Sequence, residues 1–111
     1  MRKRQRIHRV IQQMVSVLKE RYQPEQIILF GSYASGVPHR DSDIDLLIVK
    51  STRQPFFQRL AEVRRLVSDV RQGHPFDPMV LTPAELEYRI KRGDQFFQGI
   101  LHHGNVLYAA A

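Results

Sequence analysis

Seven consecutive residues, Asp43-Ile44-Asp45-Leu46-Leu47-Ile48-Val49, restrict this chain more than any other stretch. The four aliphatic residues that end the run predict a strand buried on both faces. Its entrance, however, carries two acids. Residues i and i+2 of a strand point to the same side, with Cα atoms roughly 6 to 7 Å apart, so Asp43 and Asp45 share a face. Like charges so placed repel one another, and a buried strand that opens with them is costly as architecture. A cation between the carboxylates removes that cost, and carboxylate oxygens suit hard ions such as Mg²⁺. On spacing alone a solvated strand end remains the equal alternative.

The rest of the chain has to cover this strand. Gln26-Ile27-Ile28-Leu29-Phe30 predicts a second buried strand, closed by Gly31. Before it, residues 5–22 place Ile7, Val10, Ile11, Met14, Val15 and Leu18 at helical intervals, and Pro24 ends the helix. Residues 31–42 have loop composition, with room for one helical turn after Ser32. Residues 54–72 predict another amphipathic helix, with Phe57, Leu60, Ala61, Leu66, Val67 and Val70 on its buried stripe and Gly73 as its stop. Residues 76–81 predict a third strand, and Pro78 within it implies an edge position or a bulge. Thr82-Pro83-Ala84-Glu85 is a helix start, with Thr82 as cap, and that helix reaches Arg92 before Gly93. A last helix spans 95–102, followed by Gly104 and a short apolar tail, Val106-Leu107-Tyr108. The order α-β-β-α-β-α-α predicts an α+β fold, a small mixed sheet packed with helices, and 111 residues suit a single domain over 1–111.

Composition narrows the chemistry. Without cysteine there are no disulfides and no thiolate metal sites. No apolar run approaches the roughly 18 residues of a membrane span, and no apolar leader core follows the basic start, so the expected location is the cytoplasm. Seventeen Lys and Arg against 11 Asp and Glu give a formal net charge of +6, which suits nucleotides or nucleic acid as partners. Arg2, Lys3, Arg4, Arg6 and Arg9 concentrate the excess at one end of the chain, where a basic helix face results. That face fits an acidic partner protein or plain solvation equally well.

Gly31-Ser32 adds a second element to the acid pair. Glycine lets backbone amides approach a phosphate, and Ser32 is placed to cap the turn behind them. Gly31-Ser32, ten intervening residues and then Asp43-Ile44-Asp45 resemble the signature of the minimal nucleotidyltransferases of the DNA polymerase β-like superfamily. The likeness includes Leu29-Phe30-Gly31-Ser32-Tyr33-Ala34-Ser35-Gly36 and Asp41-Ser42-Asp43-Ile44-Asp45-Leu46-Leu47-Ile48. It extends from the leading helix to Gly104–Tyr108, covering nearly the whole chain.

The resemblance implies a polymerase β-like fold and a third acid on a later strand. Asp77 fits by position, with Asp69 in the second long helix as its rival, and Pro78 after Asp77 departs from the family's usual apolar residue. It implies that Asp43, Asp45 and Asp77 bind Mg²⁺ while Gly31 and Ser32 hold ATP phosphates. Two metal ions roughly 3.5 to 4 Å apart would flank an in-line displacement at the α-phosphorus, with Asp77 able to take the acceptor's proton. Relatives that modify nucleic acids or small molecules add acceptor-binding domains, and the chain is short for one. The implied role is therefore an antitoxin that adenylylates a tyrosine of a partner HEPN toxin in a hetero-complex. Neutralisation by binding alone, nucleotidylation of a small molecule, and nucleic-acid binding are the alternatives. His39 and Arg40, in the loop before Asp43, read as exposed charge that can reach phosphate. His102 and His103 show no metal spacing, and one member of each pair Phe56/Phe57 and Phe96/Phe97 is expected to be buried.

Overall fold

The computed structural model describes residues 3–38 and 42–111. Helix α1 (Lys3–Arg21) leads into strand β1 (Gln26–Phe30) and a one-turn helix α2 (Ser32–Ser35). Strand β2 (Ile44–Val49), helix α3 (Phe56–Leu66) and strand β3 (Phe76–Leu81) follow. Helices α4 (Pro83–Lys91) and α5 (Gln95–His103) and strand β4 (Asn105–Ala109) complete the order. The four strands form one sheet in the order β3-β2-β1-β4, with β1 antiparallel to β2 and β4, and β2 parallel to β3. The expected small mixed sheet packed with helices is the observed architecture. Among the described residues, no helix is long and apolar enough to cross a membrane.

Alternation along the strands divides the interior in two. Ile27, Leu29, Ile44, Leu46, Ile48, Phe76 and Val80 face α1 and α3, where Ile7, Val10, Ile11, Met14, Leu18, Val63 and Val67 meet them. Ile28, Leu47 and Leu81 face the other way, onto Phe97 and Ile100 of α5, with Leu86 and Ile90 of α4 at the margin. The first core is the larger; the second covers only part of its face.

Pro78 lies on an edge strand, as its chemistry requires, and the β2–β3 register is continuous through it. The Ile44 and Lys50 amides donate to Pro75 O and Leu81 O, so odd-numbered carbonyls of β3 point into the sheet and even-numbered positions point outward. Proline at 78 therefore removes no ladder bond. The outward carbonyls find arginines instead: Arg59 Nη1 donates to Val80 O at 3.2 Å and Arg64 Nη1 to Phe76 O at 3.0 Å. These two side chains close the edge that β3 would otherwise offer to another strand.

Two expectations fail. The helix predicted over 54–72 is helical only from Phe56 to Leu66, with Arg59 and Val63 buried on it. Of the expected stripe, Val67 is buried just past its end and Leu60, Leu66 and Val70 pack partly buried against the core, while Phe57 and Ala61 do not. Phe57 is 81% exposed, Phe56 and Ala61 are exposed too, and neither Phe of that pair is buried. The register is set by Arg59, which is buried because its guanidinium bonds Gln54 O, Val80 O and both Glu85 oxygens. An apolar-periodicity argument cannot see a stripe anchored by an ion pair. The apolar tail, in turn, is strand β4. Three apolar residues with a solvated face show no strand period, and it is pairing with β1 that orders them. Gly104 makes the tight entry to β4 feasible, because a Cβ there would lie 2.5 Å from Ile100 O and 2.7 Å from Ile28 Cγ2.

The helix start at Thr82 forms as expected. Thr82 Oγ1 accepts from Glu85 N and Glu85 Oε1 accepts from Thr82 N, a complete capping box.

Candidate active site

Three strands deliver side chains to one end of the thinner face. Asp45 lies opposite Asp77 in the parallel β2–β3 pair and opposite Phe30 in the antiparallel β1–β2 pair. Directly opposed residues point to the same side, so Phe30, Asp45 and Asp77 form a row across the sheet. Asp43, one residue ahead of β2, shares that side by alternation. One carboxylate oxygen from each of Asp43, Asp45 and Asp77 lies within 4.8 Å of the others. Asp43 and Asp77 are exposed and Asp45 is half-buried.

Crowding alters the middle acid. Burial first, then repulsion from Asp77 and Asp43 and a hydrogen bond with Asp77, pushes the Asp45 carboxyl up to about 6. A carboxyl whose ionisation is opposed by burial and by neighbouring carboxylates marks a place where positive charge is wanted, and a divalent cation supplies it. The donor set is all carboxylate oxygen, which fits a hard ion of the Mg²⁺ type.

Gly31 follows Phe30 and turns the chain beside Asp45. Its φ of 74° and ψ of −152° are open to glycine alone, and a Cβ on it would collide with Asp45 Oδ2. Carboxylate and backbone thus touch where any side chain would part them. Gly31, not Ser32, occupies the cap position of α2, and no side chain caps that turn. Ser32 is its first residue, and Gly31 O accepts from Ala34 N and Ser35 N. The opening amides of such a turn have no intrahelical acceptor and suit an anion.

Other sequence candidates fall elsewhere. Asp69 is exposed in the turns after α3 and is not in the carboxylate group. His39 and Arg40, and Arg2 of the basic run, lie outside the described residues, and Arg4, Arg6 and Arg9 occupy exposed positions on α1. His102 and His103 sit side by side in the last turn of α5 and join no metal-capable group among the described residues.

Two features of the site had no signal in the sequence. Arg64 holds the Phe76 carbonyl, and so the backbone at Asp77. Phe30 packs edge-on against Phe96 of α5, with ring centroids 5.8 Å apart. Only the known strand order makes Phe30 a neighbour of Asp45.

Residues 11–96 match the nucleotidyltransferase domain family. A protein of Methanocaldococcus jannaschii, named provisionally as a protein adenylyltransferase, is 49% identical over 102 residues, covering 90% of this chain and 96% of its own. Two crystal structures share the fold with a TM-score of 0.59 each. One, a Sulfolobus solfataricus protein provisionally described as a nucleotidyltransferase, is 22% identical and aligns over 96% of this chain and 83% of its own. The other, a toxin-antitoxin with AMP-PNP, is 20% identical and aligns over 89% of this chain and 73% of its own.

Proposed function

The chain belongs to the nucleotidyltransferase domain family, and from that premise we propose that it is an antitoxin that transfers AMP from ATP to a tyrosine of a partner HEPN toxin. The observation that carries the reading is the group of three carboxylates, Asp43, Asp45 and Asp77, packed against a glycine whose Cβ would collide with Asp45 Oδ2. The name of the archaeal relative supports a protein acceptor, and the toxin-antitoxin structure with AMP-PNP supports a toxin partner and an adenine nucleotide. HEPN as the partner's class and tyrosine as its acceptor rest on the sequence resemblance.

The reaction asks little of the protein beyond positioning and charge. The acceptor oxygen bonds to the α-phosphorus, the bond from that phosphorus to the oxygen bridging to the β-phosphate breaks, and pyrophosphate departs. Mg²⁺ held by Asp43, Asp45 and Asp77 would neutralise the triphosphate and polarise the reacting phosphorus. Asp43 and Asp45 act as anions, and the raised Asp45 carboxyl is drawn fully into that form by the arriving cation. The first amides after Gly31 orient the β- or γ-phosphate, and Ser32 adds its hydroxyl there. Asp77, exposed on the edge strand, accepts the proton of the incoming hydroxyl.

The test is incubation with α-labelled ATP, Mg²⁺ and a HEPN toxin from the same genome. The expected result is one AMP on a toxin tyrosine and loss of toxicity. An unlabelled toxin, or full neutralisation by the Asp43→Asn/Asp45→Asn variant, would sink the proposal in favour of neutralisation by binding.

A further inference from the structure

Phe96 is a large aromatic side chain that the fold leaves 52% exposed, while its neighbour Phe97 is 4% exposed. It is not loosely held. Asp94, the cap of α5, accepts hydrogen bonds at Oδ1 from the amides of both Phe96 and Phe97, at 3.0 and 3.4 Å. The Phe96 ring stands perpendicular to Phe30 at 5.8 Å and nearly so to Phe97 at 5.2 Å. Phe30 in turn lies opposite Asp45 on the same side of the sheet. The exposed ring is therefore one aromatic ring removed from the carboxylate row, and the strand spacing plus the 5.8 Å ring separation bound its distance from that row at roughly 11 Å. A ribose separates a base from its α-phosphate by about that order.

We propose that Phe96, buttressed by Phe30, is the platform on which the nucleobase of the triphosphate rests. The inference builds on the nucleotidyl-transfer reading of the carboxylates and adds the residue that holds the other end of the substrate. Three features favour a base over other occupants. Its backbone is set by the Asp94 cap and its ring leans on Phe30 and Phe97, so less freedom is lost on binding. It is continuous with the carboxylate row rather than on a separate face. It also offers a π surface without a hydrogen-bonding group, which suits stacking with any base. Phe57, more exposed still, lacks these features: it lies on α3, the helix of the opposite face, and its ring contact is with Phe56.

Binding of a non-hydrolysable ATP analogue and of inorganic tripolyphosphate, each with Mg²⁺, separates the base from the phosphates. Phe96→Leu keeps apolar bulk against Phe30 and removes the π surface, and Phe96→Tyr restores it. The expected result is about tenfold weaker analogue binding by Phe96→Leu, tripolyphosphate affinity unchanged to within about twofold, and recovery in Phe96→Tyr. Unchanged analogue affinity, or parallel loss for both ligands, overturns the proposal. So does a variant that keeps nucleotide affinity but raises KM for the protein acceptor, which would assign the ring to the acceptor. Metal-dependent binding of both ligands by the wild type, with no effect of Phe96→Leu, defeats this inference and leaves the transfer reading standing. A wild type that binds neither ligand defeats both.

Discussion

The two faces of the sheet are made by the same strands and do opposite jobs. Toward α1 and α3, β2 presents Ile44, Leu46 and Ile48, all fully buried. Toward α4 and α5 the same strand presents Asp45 and then Leu47, and the core on that side ends before it reaches the carboxylates. The first face is complete as packing. The second stops short, and the gap is filled with mutually repelling acids, one of them carrying a raised pKa. A fold of this size can hold an unfavourable cluster only because the other face stabilises the whole sheet. On the proposed reading of the carboxylates, stability and chemistry are separated by a single residue step along β2.

That separation predicts opposite outcomes for neighbouring residues. Asp43→Asn with Asp45→Asn should lower transfer by roughly a thousandfold or more, because the charge that gathers cation and triphosphate is gone. The same variant should melt no lower than wild type at neutral pH, since it relieves repulsion. Steady-state labelling and a thermal melt check both halves, and a large loss of stability would show that the acids also hold the fold. Leu46→Ala, one step along, should cost about 2 to 5 kcal/mol in urea unfolding, with folded molecules keeping their turnover. A folded Leu46→Ala protein with abolished turnover would break the division between faces.

Arg59 tests the seam between them. It leaves α3 on the packed face and reaches past the β3 edge to Val80 O and to Glu85 at the start of α4 on the other. The Arg59 side chain is 7% exposed and Glu85 44%, so removing the arginine strands a carbonyl more than it strands a charge. Arg59→Ala should therefore destabilise by about 2 kcal/mol, near the cost of unsatisfied buried polar groups and below that of a fully buried ion pair. Urea denaturation measures it. A change below about 0.5 kcal/mol, the level of ordinary surface substitutions, would mean that the faces are joined elsewhere.

Legibility in the sequence followed the same division. The α1 stripe and the β1 and β2 runs were readable because their periodicity is apolar and local, and the Thr82 start because capping chemistry is local too. What escaped was non-local or polar. Arg59 set the register of α3 through partners 21 and 26 residues away, where periodicity placed Phe57. Strand β4 carries no pattern of its own and exists through β1. At the site, the spacing of Asp43 and Asp45 fixed a shared side, but the choice between Asp77 and Asp69 needed the family resemblance, and geometry groups Asp77 with the pair. The closeness of Phe96 to Asp45 was invisible because it runs through the β1–β2 register and the seating of α5 together.

The smallest expected effect is also the most direct reading of the unfavourable cluster. The Asp45 carboxyl rises from an ordinary 3.8 to about 6, chiefly through burial and then through Asp77 and Asp43. A group whose folded pKa is raised binds its proton more tightly when folded. Its stabilising contribution is therefore complete below about 4 and disappears as the pH climbs through about 6. Ion-free protein should thus lose stability between about pH 4.5 and 6.5, by on the order of 1 kcal/mol once solvent screening of a half-exposed group is allowed for. Glu85, whose pKa is lowered by its hydrogen bond from Arg59, slopes the other way, but only below that window. Saturating Mg²⁺ should reverse the trend, because ion and proton compete for the same oxygens and the ion wins as pH rises. Thermal melts across this range, with chelator and with Mg²⁺, read both slopes, and Asp45→Asn should flatten them. A slope that survives in Asp45→Asn would assign the titration to another group and leave the carboxylates an ordinary solvated strand end.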